Sequence, residues 1–228
     1  MTTVAVLIPS VGRPAQLAER VGSLLVRRPL PAVYLEVVLA IPMSDTASLA
    51  AAARLSMGPM PYATRLHIAL RRPDTTAVEG WNVAYRYIES ICAPDWFVLG
   101  ADDLVWPEGW LEAALCIAAE TGAQVIGLGD DNVNLDDFSA HYMASRLWCE
   151  EQLGGNIAPP EYAAWWFDRE VSQRAQKMGL YAPCWNAHLQ HTHPMYGTAE
   201  MDDTYRRGYA LHDADKALYQ RWQKGLRP

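Results

Sequence analysis

Short apolar runs alternate with amphipathic segments through the first half of the chain. The runs lie at residues 3–8, 34–41, 66–70, 96–99 and 124–128, and their length between turn residues is typical of buried strands. Helical spacing of apolar positions between them predicts helices after Pro14, over 47–55, over 77–91 and over 109–121, the last with Gly122 as its C-cap. This alternation predicts an α/β fold, in which a mostly parallel sheet is flanked by helices.

The regular pattern ends near residue 130. We expect residues 130–160 to form a long irregular segment. After it, the spacing of apolar residues predicts a helix over 161–178 and a last helix near 215–224. We therefore expect a single domain over 1–228, made of a regular half, 1–129, and a largely irregular half, 130–228.

The composition narrows the setting in which the chain works. Its 228 residues carry a formal net charge of −7, which argues against a surface dominated by nucleic-acid binding. No apolar stretch reaches the roughly 18 residues that indicate a membrane span, and the start lacks the pattern of a secretory signal. The four cysteines form no CxxC pair. Together these features predict a cytoplasmic protein with reduced thiols and no membrane span.

Several common catalytic motifs are absent from the sequence. Gly127-Leu128-Gly129 follows a predicted strand, but Asn132 stands where a dinucleotide-binding motif has its third glycine. The chain also contains no phosphate-binding GxxxxGK[ST] loop, no GxSxG nucleophile elbow and no HExxH zinc motif. Its chemistry must therefore be sought in other groups.

Polar side chains follow three of the predicted strands. Ser10 and Arg13 follow the first strand, Asp45 the second, and the adjacent acids Asp102 and Asp103 the fourth. Each alone is as compatible with a turn or a helix cap as with a ligand contact. Because the carboxyl ends of parallel strands meet at one edge of a sheet, we expect these side chains to converge. Two acids there make a suitable seat for a divalent cation that holds phosphate oxygens.

Four segments together resemble a known family. They are VLIPSVGRPAQL, the Asp45 turn, GWNVAYRY and VLGADDLVWPEGW, which span about residues 4–128. They resemble the family-2 glycosyltransferases, which have the A-type nucleotide-sugar-binding fold. The resemblance implies an enzyme that moves a sugar from a nucleoside-diphosphate sugar to a hydroxyl acceptor, with 1–129 as the donor-binding half and 130–228 as the acceptor-binding half.

The same resemblance implies a divalent metal, Mn²⁺ or Mg²⁺, held by an Asp-x-Asp element. Here that element reads Gly100-Ala101-Asp102, so the first acid is missing; Asp102 is the implied ligand and Asp103 its neighbour or substitute. The implied donor-binding residues are Pro9, Ser10, Arg13, Asp45, Asn82, Ala101 and Asp102.

Histidines and acids of the second half supply further candidates. Within the sequence HLQHTHP, His191 and His193 would point to one side of an extended segment. Because the resembling fold has metal ligands in this part of the chain, the resemblance implies His193 as the favoured additional ligand and His191 as the next. An inverting transfer needs a carboxylate base for the acceptor hydroxyl. The resemblance implies such a base in an acidic motif well after the metal acid, which makes Asp202 and Asp203 the first candidates, with Asp130 and Asp131 as the competing pair. A retaining mechanism, which has no such base, also stays open.

The acceptor is the least determined part of this hypothesis. Trp148, Trp165 and Trp166 of the second half are the predicted acceptor-binding residues, because aromatic rings stack on sugars and on bases. Compact members of this family also occur in phage genomes, so a hydroxylated DNA base, a protein and a glycan all stay open as acceptors. Two other functions also stay open, a sugar-phosphate nucleotidyltransferase and a non-catalytic nucleotide-sugar-binding module.

Overall fold

A computed structural model describes residues 1–26, 30–130 and 132–226, and within these ranges eight strands form one mixed sheet. The strands are β1 (Thr2–Pro9), β2 (Val33–Pro42), β3 (Thr64–Arg71), β4 (Trp96–Leu99), β5 (Leu104–Val105), β6 (Val125–Asp130), β7 (Tyr142–Ser145) and β8 (Tyr181–His191). Their order is β3-β2-β1-β4-β7-β6-β8-β5. The predicted α/β single domain is confirmed.

The first half of the chain builds a parallel sheet with helical crossovers, as the sequence pattern predicts. Strands β3, β2, β1 and β4 are parallel neighbours. They are connected by the helices α1 (Pro14–Leu25), α2 (Thr46–Ser56) and α3 (Ala77–Cys92). Apolar side chains from both faces of these strands enter two buried clusters, one on each side of the sheet. The parallel strands are therefore covered on both faces, which explains their continuous apolar runs.

Local signals fix the ends of several of these helices. Pro14 stands in the first turn of α1, where its missing N–H costs nothing. The Asp45 carboxylate accepts a hydrogen bond from the Ser48 backbone N–H at 3.1 Å and caps α2. The helix α4 (Trp110–Thr121) ends at Gly122, whose φ of 67° is the left-handed conformation predicted for this C-cap.

The second half contains more regular structure than its sequence predicts. The segment 130–160, predicted as irregular, holds β7, which pairs antiparallel with both β4 and β6, and the helix α5 (Arg146–Leu153). The tail contains β8, which was not predicted and which lies parallel to β6 and antiparallel to β5. It also contains α7 (Asp203–Tyr209) and α8 (His212–Gln223), the latter being the predicted last helix.

The helix predicted over 161–178 is shorter than expected. The helix α6 spans Phe167–Lys177, and the preceding residues form a loop. The buried Asp215 carboxylate on α8 holds that loop, because it accepts hydrogen bonds from the backbone N–H groups of Ala163, Ala164 and Trp165 at 2.8 to 3.2 Å. A distant side chain therefore overrides the local helical pattern.

Among the residues that the structure describes, no helix combines the length and the apolar character needed to cross a membrane.

Candidate active site

The polar residues predicted to converge do meet at the carboxyl edge of the sheet. Because β1 and β4 are neighbours, Ser10 and Asp102 face each other, and the Ser10 hydroxyl donates to Asp102 Oδ2 at 2.6 Å. Asp103 follows directly, and Asp130 ends β6 two strands away. All three carboxylates are buried, with at most 5% of each residue exposed. Buried charge of this kind needs cationic partners.

Arg13 is the first of those partners. Its Nη1 lies 3.1 Å from Asp102 Oδ1 and 3.8 Å from Asp103 Oδ2. Its Nε and Nη2 donate to both oxygens of Asp202 at 2.7 and 3.0 Å, and its guanidinium lies over the Tyr205 ring, 3.8 Å from the centroid. Burial acts to lower the pKa of Arg13, but the hydrogen bond to Asp202 and the charge of Asp102 raise it, so the side chain stays cationic.

The two adjacent acids differ in their surroundings. Burial and the charge of Asp103 raise the pKa of Asp102 to about 6, against the opposing effect of Arg13 and Ser10. Burial acts to raise the pKa of Asp103 as well, but the neighbouring His191 outweighs it and lowers that pKa. Asp103 Oδ2 accepts a hydrogen bond from the Tyr205 hydroxyl at 3.0 Å. Its Oδ1 is buried and has no hydrogen-bond partner among the described residues.

Behind the acid pair lies a cluster of Asp130, His141 and His191. One ligand atom from each lies within 4.8 Å of the other two. His191 stands between two carboxylates, with Nδ1 3.4 Å from Asp130 Oδ2 and Nε2 3.5 Å from Asp103 Oδ2. Burial acts to lower the pKa of His191, but the flanking carboxylates raise it to about 9. Burial and the charge of His191 lower the pKa of His141 to about 4.

His141 is a residue that sequence reasoning missed. It precedes β7 in the segment predicted as irregular, and a single histidine there carries no spacing signal. Only the antiparallel pairing of β7 with β4 and β6 brings it to this edge. Its Nδ1 lies 3.1 Å from the Leu99 carbonyl oxygen, at the end of β4.

His193, the favoured metal ligand from sequence, lies beside this cluster. Its ring centroid is 5.2 Å from that of His191. Its Nδ1 accepts a hydrogen bond from the Met195 backbone N–H at 3.2 Å, and its ring packs edge-on against Tyr205. Burial lowers its pKa to about 4. His193 therefore caps the short turn Pro194–Tyr196, and its role as a ligand stays a prediction.

The candidate bases lie in different environments. Asp202 caps α7 through the Tyr205 backbone N–H at 2.8 Å and also binds Arg13. Burial acts to raise the pKa of Asp202, but the Arg13 hydrogen bond lowers it. The Asp203 side chain is 89% exposed and pairs with Arg206 at 2.7 Å. Asp131 lies outside the described residues.

An open cavity of about 560 Å³ lies over this edge. It is lined by Gly12, Asp202, Asp203, Thr204, Arg206 and Arg207. The Thr204 hydroxyl donates to the Val11 carbonyl oxygen at 3.0 Å, so α7 is attached to the turn after β1. The Asp45 carboxylate accepts from the Gly12 backbone N–H at 2.7 Å, which ties the same turn to the end of β2. The cavity thus combines two arginines with Gly12 of the turn after β1 and with Asp202 and Asp203, whereas the predicted donor-binding residues are not among its lining residues.

Of the other implied donor-binding residues, Pro9 and Ala101 lie at the edge of the sheet and Asn82 does not line the cavity. Pro9 ends β1 and the partly exposed Ala101 follows β4, both at this edge. Asn82 is buried, and its amide binds the backbone of Ile157 and Ala158 at 2.9 to 3.1 Å. The Asn82 side chain therefore anchors a loop of the second half instead of lining the cavity.

The missing first acid has a structural cause. A Cβ atom at Gly100 would lie 2.9 Å from Val6 Cγ1 and 3.1 Å from the Leu7 carbonyl oxygen. Because both atoms belong to the buried strand β1, a side chain at this position would require β1 to shift.

The three predicted acceptor tryptophans separate into two groups. Trp148 has no exposed surface and packs in the core with Tyr142, so it does not reach a surface that an acceptor could contact. Trp165 and Trp166 are partly exposed. The Trp165 ring lies 5.9 Å from that of His193 and its Nε1 donates to the Gly208 carbonyl oxygen, so it borders the site. Trp166 stacks on Tyr219.

No family model and no curated protein sequence matches the chain. Solved structures do match. The mannosyltransferase PcManGT from Pyrobaculum calidifontis, in complex with GDP-Man and Mn²⁺, is 18% identical over 94% of this chain, with a TM-score of 0.68. TarS from S. aureus is 14% identical over 83% in its complex with UDP (TM-score 0.64), and 13% identical over 90% in its complex with UDP-GlcNAc (TM-score 0.60).

These likenesses show the fold, which is that of the A-type glycosyltransferases. The chain spans 64% of the mannosyltransferase structure and 60 to 61% of the TarS structures. Membership of family 2 and a phage origin stay predictions.

Proposed function

We propose that this protein is a glycosyltransferase that moves a sugar from a nucleoside-diphosphate sugar to a hydroxyl acceptor. The observation that carries the proposal is the convergence of Asp102, Asp103 and Asp130 at one sheet edge, which Arg13 connects through Asp102 and Asp202 to a cavity lined by two arginines. Two neighbours of the same fold hold GDP-Man and UDP-GlcNAc, which supports a nucleotide sugar as the ligand.

The donor would lie between the turn after β1 and α7. Arg206 and Arg207 line the cavity and offer positive charge to a diphosphate. Asp45 holds the Gly12 turn in place, and Asp102 orients Arg13 from below. A divalent cation bound at this edge would supply positive charge that stabilises the departing diphosphate. The Mn²⁺ held by the mannosyltransferase neighbour supports such a dependence.

Asp203 is our candidate for the base of an inverting transfer. A base must reach the acceptor hydroxyl and must not be neutralised by a buried cation. Asp202 fails the second condition, because both of its oxygens bind Arg13. Asp203 lines the cavity and is exposed, and its partner Arg206 is an exposed side chain that can move away.

The acceptor would approach from the side of Trp165 and Trp166. Both rings are partly exposed, and Trp165 lies against His193 at the border of the site. A hydroxyl-bearing partner with a flat apolar face, such as a sugar, could stack there. The net charge of −7 favours a glycan or a protein over DNA as this partner.

A donor screen tests the proposal. Nucleoside-diphosphate sugars are added to the protein with and without Mn²⁺, and both the shift in thermal midpoint and the release of nucleoside diphosphate are measured. We expect one donor to stabilise the protein and to be hydrolysed slowly in a metal-dependent way, with loss of hydrolysis in Asp102→Asn.

Other outcomes of the screen would contradict the proposal. Binding without turnover, also in the presence of candidate acceptors, would favour a non-catalytic module. Release of pyrophosphate from a nucleoside triphosphate and a sugar phosphate would favour a nucleotidyltransferase. The turn after β1 argues against the latter, because it carries neither a lysine nor repeated glycines.

A further inference from the structure

We propose that Asp130, His141 and His191 form a binding centre for a transition-metal ion, with Asp103 and the Leu99 carbonyl group as its outer shell. This centre is separate from Asp102, the acid that the sequence resemblance implies as metal ligand. It goes beyond the proposed function, because it is inferred from the chain's own side chains and holds whether or not the protein transfers a sugar.

The first argument is that the three ligand atoms are buried, close together and unsatisfied. His141 Nε2, His191 Nδ1 and Asp130 Oδ2 each lack a hydrogen-bond partner among the described residues. His191 Nδ1 and Asp130 Oδ2 face each other at 3.4 Å as an ion pair, but neither atom makes a hydrogen bond. Buried polar atoms that make no hydrogen bond are costly, and three of them around one point is an unusual concentration. A shared cation would satisfy all three.

The second argument is that the remaining polar atoms of the three ligands already have partners. His141 Nδ1 lies 3.1 Å from the Leu99 carbonyl oxygen, which fixes Nε2 as the free nitrogen. His191 Nε2 lies 3.5 Å from Asp103 Oδ2, which leaves Nδ1 for a ligand. Asp130 Oδ1 accepts two hydrogen bonds from Asn132, at 2.6 and 2.9 Å. Metal-bound histidines are oriented in this way, with the second ring nitrogen held by a carboxylate or a carbonyl oxygen.

The ligand set indicates which metals would bind. Two imidazole nitrogens and one carboxylate suit Mn²⁺, Fe²⁺, Co²⁺ or Zn²⁺, whereas Mg²⁺ and Ca²⁺ prefer sites made of oxygen ligands alone. The rings of His141 and His191 pack edge to face with centroids 4.8 Å apart, and one ligand nitrogen of each lies within 4.8 Å of the other and of an Asp130 oxygen. We therefore expect selection against Mg²⁺.

The chemistry of Asp102 supports a separation of the two sites. Its Oδ2 accepts from Ser10 at 2.6 Å and its Oδ1 lies 3.1 Å from Arg13 Nη1. Both oxygens are thus engaged, and the Arg13 guanidinium already supplies the positive charge beside this carboxylate. Asp103 lies between Arg13 and the cluster of Asp130, His141 and His191. The same oxygen, Asp103 Oδ2, is near both His191 and Arg13.

Direct metal titration tests the centre without any donor. The full chain, freed of metal by a chelator, is titrated with Co²⁺ and followed by visible absorption and by calorimetry, with Mg²⁺ as competitor. We expect a single Co²⁺ per chain, with absorption bands of nitrogen and oxygen ligation, and no displacement by excess Mg²⁺. His141→Gln and Asp130→Asn should each weaken binding by more than the roughly 10- to 100-fold expected for loss of an outer-shell partner in Asp103→Asn.

Two control variants make the result specific. Asp102→Asn removes the acid implied by the resemblance, and His212→Gln removes a histidine that pairs with Asp213 on α8 instead of with the cluster. Both should bind Co²⁺ like the unaltered protein, and circular dichroism of every variant verifies the fold.

The proposal is overturned if the unaltered protein binds no Co²⁺, which would leave His191 as an imidazolium bridging two aspartates. It is equally overturned if folded His141→Gln and Asp130→Asn bind normally, or if Asp102→Asn loses the metal. Failure of the donor screen would leave all of these readouts unchanged, so the two proposals fail separately.

Discussion

At the scale of single residues, Asp102 is the acid whose removal separates the two proposals. Asp102→Asn keeps the side-chain shape and the contact with Ser10, but it removes the charge that orients Arg13. We expect donor hydrolysis to fall by about 100-fold or more, because the preorganised charge beneath the diphosphate is lost. Turnover of nucleoside-diphosphate sugar measures this, and Glu120→Gln, an exposed change on α4, is the matched control. Normal turnover in Asp102→Asn would remove this residue from the mechanism.

The contribution of Asp45, the N-cap of α2, to folding stability should depend on pH. Burial acts to raise its pKa from the usual 3.8, but the backbone hydrogen bonds from Gly12 and Ser48 lower it. The folded state thus prefers the ionised carboxylate. The resulting stability is present above pH 3.8 and is lost as the pH falls through the lower folded-state pKa.

The corresponding variant is Asp45→Ala, which removes both hydrogen bonds. It should lower the free energy of unfolding by about 1 kcal/mol near neutral pH, the usual cost of losing an N-cap. Urea unfolding at several pH values measures this difference, which should shrink as the solution becomes more acidic. A constant difference across the acid range would contradict the ionic origin of the effect.

At the scale of secondary-structure elements, the sequence predicts what local signals determine. The parallel strands β1 to β4 and their helices follow from apolar periodicity and from caps such as Asp45 and Gly122. Strand β7 has four residues and exists because β4 and β6 pair with it on both sides. No local pattern encodes such a pairing, so β7 was missed, and with it the position of His141.

The loop before α6 shows the same limit for a helix. Its sequence continues the helical pattern of α6, yet Asp215 on α8 binds three of its backbone N–H groups.

The convergence of Ser10, Asp45, Asp102 and Asp103 was predictable, because they follow parallel strands. The burial of Trp148 and the anchoring role of Asn82 depend on contacts with the second half, which sequence spacing does not reveal.

The structure of the loop before α6 should therefore depend on Asp215 of α8, and this dependence can be tested. Asp215→Ala should lower the free energy of unfolding by about 3 kcal/mol, because several buried N–H groups lose their acceptor. Urea unfolding measures the loss, and amide hydrogen exchange should show faster exchange at Ala163, Ala164 and Trp165. Asp213→Ala, at an exposed position of the same helix, is the control and should change stability little. Equal effects of the two variants would contradict the anchoring role of Asp215.

At the scale of the whole molecule, Arg13 joins the two halves of the chain. Its partner Asp202 lies 189 positions away, and its guanidinium reaches Asp102 in the same contact network. A double-mutant cycle with Arg13→Gln and Asp202→Asn should give a coupling energy of about 1 to 2 kcal/mol, because the Arg13 side chain is buried. Thermal or urea unfolding of the four proteins provides the measurement.

The exposed pair Arg206 and Asp203 is the matched control for this cycle. Both side chains are more than half exposed, so their coupling should stay below about 0.5 kcal/mol. Coupling of the Arg13 pair no larger than that of the control pair would mean that the contact between Arg13 and Asp202 does not help to hold the halves together.

The attachment of α7 to the turn after β1 has a consequence for how the protein is made. Arg13 and its partner Asp202 are 189 positions apart, and Val11 and its partner Thr204 are 193 positions apart, so the partners on α7 are synthesised much later. During synthesis the nascent sheet therefore presents an acidic edge without its closing segment. A chain interrupted between β8 and α7 would keep the strands and lose the cavity, so competence to bind would arise only after α7 has been made.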